Sequence, residues 1–372
     1  MALAVAGFAP SCQFPNAIEG LGWATKAVSS MAQWVRIGEY DMTVTVGIYD
    51  KALTRLKGRL DSLALDISLL PFDRSTQFVG GDGLMAPENT ELDYLWLSPD
   101  INLDGLQMPV FDMVLKCKRI GVLQTFNAGL DHPVYKQVSD KGVRISNSSA
   151  QATAISEYVV AQVLNSFHPM HERRELQSRG EWKRTPFREI SGTNWLIVGF
   201  GPIGRATAKL AKAFGASIMV VRRSPATSDI VDRSGTISEI SSYLQDTDVI
   251  VLACPLNAET RGFANADFFA AVKEGATLVN IARGALIDDT ALIGALDNGR
   301  LATAILDVFH EEPLPTTSPL WSHPKVRITA HTSFSGSGTR TRWDELFLVN
   351  IARFAAGEPL VNEVDPADIQ AK

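Results

Sequence analysis

The 372-residue chain is poor in cysteine and has no surplus of positive charge. Its three cysteines, Cys12, Cys117 and Cys254, are too few and too scattered for a disulfide framework or a zinc site. No metal is expected, and a reducing cytoplasm suits the pattern. Lys and Arg total 35 against 41 Asp and Glu, giving a net charge of −6. A general nucleic-acid binder would need a basic face, so that class is excluded. No apolar run approaches the roughly 20 residues that cross a bilayer, and no membrane association is expected. The start, MALAVAGFAPSC, carries no Lys or Arg before Lys26. A secretory leader needs a basic start, so a flexible extension or an upstream start codon fits better.

What is present is an ordinary globular balance, 45% hydrophobic and 20% charged, with length enough for two domains. Short apolar strands alternate with amphipathic helices, the signature of parallel, doubly wound sheets. In the first half the spacing predicts strands at 43–49, 63–70, 92–97 and 120–126, with helices at 51–60 and 109–118. A second series predicts a mostly parallel sheet of about six strands, at 195–200, 217–221, 248–253, 277–282, 303–308 and 327–330. Long helices at 152–167 and 340–358 sit at the joins. The second returns the chain to the first domain. The expected division is an extension at 1–41, a substrate domain from 42–149 and 335–372, and a dinucleotide domain at 150–334 inserted in it.

GFGPIG spans 199–204, after an apolar strand and opening a helix. This is the context a phosphate-binding turn requires. Gly199 permits the turn, Gly201 admits a pyrophosphate to the backbone, and Gly204 lets helix and strand pack closely. Pro202 and Ile203 begin the helix, whose free N–H groups face the phosphates. An NAD site carries an acid about 20 residues on. Arg222, Arg223 and Ser224 stand there instead. Guanidinium groups grip a 2′-phosphate that an acid would repel, which predicts NADP(H), with NAD(H) the alternative. Two solvated arginines at a strand end is the bland reading.

Three segments follow later strands of the same sheet: NIARGALIDD with Arg283, LDVFHEEPLP with Asp307 and Glu312, and ITAHTSFSG with His331. Converging Arg, Glu and His suggest a hydride-transfer site. Arg283 would bind a carboxylate and polarise a carbonyl. His331 would exchange the proton, with Glu312 favouring its charged form. Singly, each has a structural reading: a capping charge, a loop acid, a hydrogen-bonded histidine.

From about 92 to 363 the sequence resembles the D-isomer-specific 2-hydroxyacid dehydrogenase family. The likeness rests on FNAGLDHPVYKQVSDKGVRISNS, LIVGFGPIGRATAKLAKAFGA, VLACPLNAETRGF, LVNIARGALIDDTALIGAL, AILDVFHEEPLP and ITAHTS, in the family's order. The resemblance implies an α/β fold of two Rossmann-like domains, the substrate domain flavodoxin-like, and interconversion of 2-keto acids and D-2-hydroxy acids with a nicotinamide cofactor. It also implies a homodimer, clasped through an arm matching 168–184. The family's Arg, Glu and His match Arg283, Glu312 and His331, and its nicotinamide-carboxamide Asp matches Asp307. Its substrate-carboxylate loop matches Asn127, Ala128 and Gly129. Its cofactor contacts match Ile203, Cys254, Pro255, Thr260 and Ala282.

Arg222 in place of an acid resembles the NADP-using glyoxylate and hydroxypyruvate reductases. Ala330 replaces a proline that often precedes the histidine. Glu312 stands where the formate dehydrogenase branch has Gln, which excludes that branch. Alternatives are an NAD-dependent dehydrogenase of a larger D-2-hydroxy acid, or a dinucleotide-sensing protein like the family's corepressor relatives. Substrate choice would depend on residues around Trp96, Leu97 and Phe126, the first two of which could equally be core.

Overall fold

In the computed structural model the described residues are 43–81 and 83–369, so the expected extension at 1–41 and Cys12 lie outside them. The first sheet comprises β1 (Val44–Tyr49), β2 (Ile67–Phe72), β3 (Phe78–Gly80), β4 (Gly83–Met85), β5 (Glu91–Leu97), β6 (Arg119–Thr125) and β7 (Arg144–Ser146). Their order is β4-β3-β2-β1-β5-β6-β7. The five strands β2, β1, β5, β6 and β7 are parallel, in flavodoxin-like order. β3 and β4 add an antiparallel hairpin at one edge. The strand expected at 63–70 begins later, at Ile67. The helix Asp50–Ser62 runs on past its expected end, and Ala64 turns the chain at φ 49° before the strand can start.

The second sheet comprises β8 (Asn194–Val198), β9 (Ser217–Val221), β10 (Arg233–Gly235), β11 (Val249–Leu252), β12 (Ala276–Asn280), β13 (Leu301–Leu306) and β14 (Val326–Ile328). The order β10-β9-β8-β11-β12-β13-β14 is wholly parallel and doubly wound. It has seven strands, not about six. The unexpected one, β10, is only three residues long and includes an arginine and a glycine, so it carries no apolar signal. Every residue of β11 and β12 is buried, as continuous apolar strands covered on both faces must be.

Each lobe has its own core, and the two joining helices serve opposite ones. Helix Ala152–Phe167 places Ile155, Val159 and Val163 in the second core, with Ala208 and Ala211 of helix Pro202–Ala213. Helix Thr339–Ala355 returns to bury Phe347, Leu348 and Ile351 in the first. Trp96 stacks on Phe347 with ring centroids 4.2 Å apart. Trp96 and Leu97 are therefore core and not cleft. Phe126 alone of that trio is half-buried, set edge-on against Trp343. The C-terminal segment stays with the first lobe. Glu363 bridges to Ser146 and pairs with Arg144 at 2.6 Å.

Phe347→Ala removes the ring that ties the returning helix to β5. It should cost about 3–5 kcal/mol of stability, read as a lowered urea midpoint.

Candidate functional site

β12, β13 and β14 are adjacent and parallel, so their C-terminal ends open on one rim, where ligands gather in such sheets. Arg283 follows β12, Glu312 follows β13 and His331 follows β14. The His331 ring shares a hydrogen bond with Glu312, Nδ1 to Oε2 at 2.7 Å. This leaves Nε2 as the nitrogen open to a ligand. Glu312 also accepts the Phe309 N–H at 2.9 Å. Burial raises the Glu312 carboxyl, but the His331 and Phe309 hydrogen bonds and the His331 and Arg283 charges outweigh it. The carboxyl is held below its ordinary range. Glu312 is therefore ionised at neutral pH. Its contribution to stability is complete above its ordinary value, about 4.3, and is lost as pH falls through the lower folded value.

His331 has φ 50°, a left-handed backbone that costs a non-glycine residue about 1–3 kcal/mol. Asp307 holds it there. The fully buried Asp307 carboxylate accepts from the Thr329 hydroxyl (2.6 Å), the Thr332 N–H (2.9 Å) and the Ser333 N–H (3.0 Å). Its backbone carbonyl accepts the His331 N–H at 2.8 Å. The sequence match marks Asp307 as a cofactor contact, yet these bonds are all to the His331 turn. Gly284 fixes the neighbouring loop. A Cβ there would lie 2.0 Å from the Phe309 carbonyl carbon, so the Arg283 and Glu312 loops are in direct backbone contact.

Arg283 reaches across to the first lobe. Its Nη2 lies 2.6 Å from Asp131 Oδ1, its Nε bonds the same carboxylate, and its Nη1 donates to the Ala282 carbonyl at 2.6 Å. Of the five guanidinium N–H groups, one on each terminal nitrogen stays available for a ligand. A Cβ on Gly129 would come within 2.1 Å of Nη2, so glycine is needed for the approach. In the same loop the N–H groups of Ala128 and Gly129 have no partner among the described residues. Asn127 sits behind them, its side chain donating to the Tyr135 hydroxyl at 2.8 Å.

A cleft of about 640 Å³ joins this point to the phosphate turn. Its walls include Ala128, Gly129 and Arg283 at one end and Arg222 and Arg223 at the other. Gly199, Gly201, Pro202, Ile203, Cys254, Pro255, Thr260 and Ala282 lie between. Gly199 has φ 100°, and a Cβ on Gly204 would lie 2.1 Å from the Gly199 carbonyl oxygen. Packing alone demands those two glycines. A Cβ on Gly201 would meet nothing within 4 Å, so there the bare backbone leaves room for something entering the cleft. The turn fits a dinucleotide pyrophosphate. Burial pushes the Cys254 thiol up to about 12, so it remains protonated in the wall. The Thr260 hydroxyl donates to the Pro255 carbonyl at 2.8 Å and shapes that loop.

Beyond β9 the two arginines differ. Arg223 pairs with Asp368 at 2.6 Å, whereas Arg222 has no acidic partner among the described residues. Ser224 is exposed beside them. Sequence reasoning missed Asp131, Gly284, Ser333 and Asp368. Only Gly284 had a local signal, as the glycine directly after Arg283. The others depend on contacts between distant segments.

No described helix is long and apolar enough to cross a membrane. No group of metal-ligating side chains occurs among the described residues.

Residues 160–333 match the family described as D-isomer specific 2-hydroxyacid dehydrogenase, NAD binding domain. A hydroxypyruvate reductase of Blautia hydrogenotrophica is 30% identical over 270 residues, 70% of this chain and 82% of the relative. A glyoxylate/hydroxypyruvate reductase A of Salmonella typhimurium is 30% identical over 301 residues, 80% of this chain and 92% of the relative. A D-isomer specific 2-hydroxyacid dehydrogenase of Xanthobacter autotrophicus, solved with NADPH and MES, is 25% identical. It superposes with a TM-score of 0.69, covering 88% of this chain and 100% of the other. With its two parallel-dominated sheets and the match to these reductases along most of its length, the chain belongs to the D-isomer-specific 2-hydroxyacid dehydrogenase family and is an oxidoreductase of that kind.

Proposed function

We propose that the protein reduces a small 2-keto acid, of glyoxylate or hydroxypyruvate type, with NADPH, and runs the reverse oxidation with NADP⁺. One observation carries the reading. A single cleft holds Arg222 and Arg223 at one end, Gly201 midway, and Gly129 with Arg283 at the other. A dinucleotide lying along it sets its 2′-phosphate at the arginines and its nicotinamide toward Arg283. The names of the relatives and the NADPH bound to the Xanthobacter protein support the same choice.

The nicotinamide supplies the hydride when bound. The N–H groups of Ala128 and Gly129 bind the substrate carboxylate, and the two open N–H groups of Arg283 bind carboxylate and keto oxygen. Arg283 thereby stabilises the charge that develops on the oxygen as hydride arrives at the carbon. His331 Nε2 delivers the proton to that oxygen, giving the 2-hydroxy acid. Glu312 stays ionised and keeps its hydrogen bond to Nδ1 throughout, which fixes the ring orientation and leaves Nε2 for the substrate oxygen.

The same reading makes 150–334 the dinucleotide domain, with 42–149 and 335–372 the substrate domain, in a cytoplasmic homodimer. The 168–184 arm suits a dimer contact. It carries the fully exposed Trp182, with half-exposed Phe187 just beyond it. The free thiols of Cys117 and Cys254 suit a reducing compartment.

A panel of 2-keto acids assayed with NADPH and NADH tests the assignment, which fails if NADH is clearly preferred or if only bulky keto acids turn over. His331→Ala should lower kcat by about 10²–10⁴ while leaving the NADPH Kd within about twofold. Near-normal turnover would remove His331 from proton transfer. Gly129→Ala pushes the flexible end of Arg283 aside without touching either core. It should raise the keto-acid KM about tenfold or more at an unchanged Tm. Arg222→Asp should move the cofactor preference toward NADH by placing an acid where NAD sites have one.

A further inference from the structure

The pairing of Arg223 joins the adenosine end of the cleft to the far end of the chain. Asp368 closes a short turn, Pro366–Asp368, capped by the Asp365 side chain, which accepts the Ala367 N–H at 2.9 Å. The segment before it is fastened to the first lobe. The Val364 N–H donates to the Ile145 carbonyl at 2.9 Å, and Arg144 grips Glu363 through both terminal oxygens, at 2.6 and 2.8 Å. So anchored, the tail lays Val364 and Asp368 into the cleft wall. There both Asp368 carboxylate oxygens take the Arg223 guanidinium, at 2.6 and 3.2 Å. Glu259, across the cleft, and Asp365 add negative charge around the same arginine. Arg223 is held in its charged form, and the Asp368 carboxyl lies below its ordinary range because of that partner.

We infer that Asp368 is a specificity-determining residue for the dinucleotide, a built-in carboxylate that occupies Arg223 in competition with the 2′-phosphate. The inference rests on the NADP(H) reading of this end of the cleft. Asp368 takes one N–H on each terminal nitrogen of Arg223, so a phosphate is left the Nε edge of a guanidinium whose charge is already shared with a carboxylate. The 2′-phosphate is met first by Arg222, which has no acidic partner among the described residues. It gains Arg223 either through the N–H groups that Asp368 leaves or by displacing Asp368, and in both cases that carboxylate remains nearby as a competing, repulsive neighbour. NAD(H) carries a 2′-hydroxyl at that point and has no use for Arg223, so it leaves the pair intact. Asp368 therefore narrows the gap between the two cofactors. Because the tail is tied to the substrate lobe at Arg144 and Ile145, the competition comes from one lobe and the arginine from the other.

The test is dinucleotide affinity of the full chain, by quenching of intrinsic fluorescence, for Asp368→Asn, Arg223→Gln and the double variant. Asparagine keeps the shape and removes the charge. Asp368→Asn should tighten NADPH about threefold to tenfold and leave NADH within twofold. The gain should shrink as salt is raised. In the Arg223→Gln background the same change should have less than half that effect on NADPH, since the competed partner is gone. An unchanged or weakened NADPH Kd in Asp368→Asn overturns the inference, as does an equal shift for NADH. The underlying cofactor reading fails separately, if the unaltered protein binds NADH as tightly as NADPH.

Discussion

The arrangement of the rim depends on one buried carboxylate. Asp307 ends β13 with no exposure to solvent, and an isolated ionised group in that position would be prohibitively costly. The cost is offset because the two N–H groups following His331 and the Thr329 hydroxyl all point at it. This also dictates the path of the chain. For Thr332 and Ser333 to present their N–H groups to one carboxylate, the backbone must turn sharply at His331, and the left-handed φ is the result. The imidazole is thus placed by a charge two strands' worth of sequence away. A proline before the histidine is unnecessary to this, and Ala330 is accommodated for that reason.

A second constraint acts between the lobes. The chain crosses from the first lobe to the second before helix Ala152–Phe167 and back before helix Thr339–Ala355, so the first lobe is completed by a helix distant in sequence. The Asp131–Arg283 pair spans the same gap at the functional end. Asp131 lies in the loop that also offers the free Ala128 and Gly129 N–H groups. Its grip on two guanidinium nitrogens therefore sets the distance between those N–H groups and the open N–H groups of Arg283. Side chains on rigid strand ends are joined to a loop whose position is itself fixed by a half-buried ion pair.

Much of this was legible in the sequence, for identifiable reasons. β8, β9, β11 and β12 are continuous apolar runs, which survive as signals because both faces are buried. Gly199, Gly201 and Gly204 are local in sequence, and their steric requirements are satisfied within one strand–turn–helix unit. Arg283, Glu312 and His331 were placed together because adjacent parallel strands must end at one rim. Of the three-residue strands, only β14 was read, from the apolar run before His331, whereas β3, β4, β7 and β10 were not legible, since a strand that short has no period to detect. Trp96 misled for a physical reason. It ends a strand at the C-terminal edge, where ligand-facing residues occur, but it is claimed by Phe347, some 250 positions on, in a helix whose register no local pattern fixes. Asp131 and Asp368 were invisible because an acid in a loop becomes meaningful only when its arginine is known.

On the proposed reading, these acids bear on how a chain of net charge −6 would take an anionic cofactor and an anionic substrate. The arginines at either end of the cleft are not left as a bare positive field. Arg283 is shared with Asp131 and Arg223 with Asp368, while Arg222 has no acid among the described residues. A paired arginine is held in a defined orientation and attracts stray anions weakly. A ligand that presents two oxygens in the plane of the fork can still engage its remaining N–H groups. The two pairs differ in what they leave open. Asp131 binds one side of Arg283 and leaves an N–H on each terminal nitrogen, so carboxylate binding adds to the pair. Asp368 takes one N–H on each terminal nitrogen of Arg223 and leaves the Nε edge open, so a phosphate there would share a guanidinium whose charge already faces a carboxylate. On the proposed reading the substrate carboxylate would add to an intact network, whereas a 2′-phosphate would meet the charge of Asp368, with Arg222 as the group that offsets it.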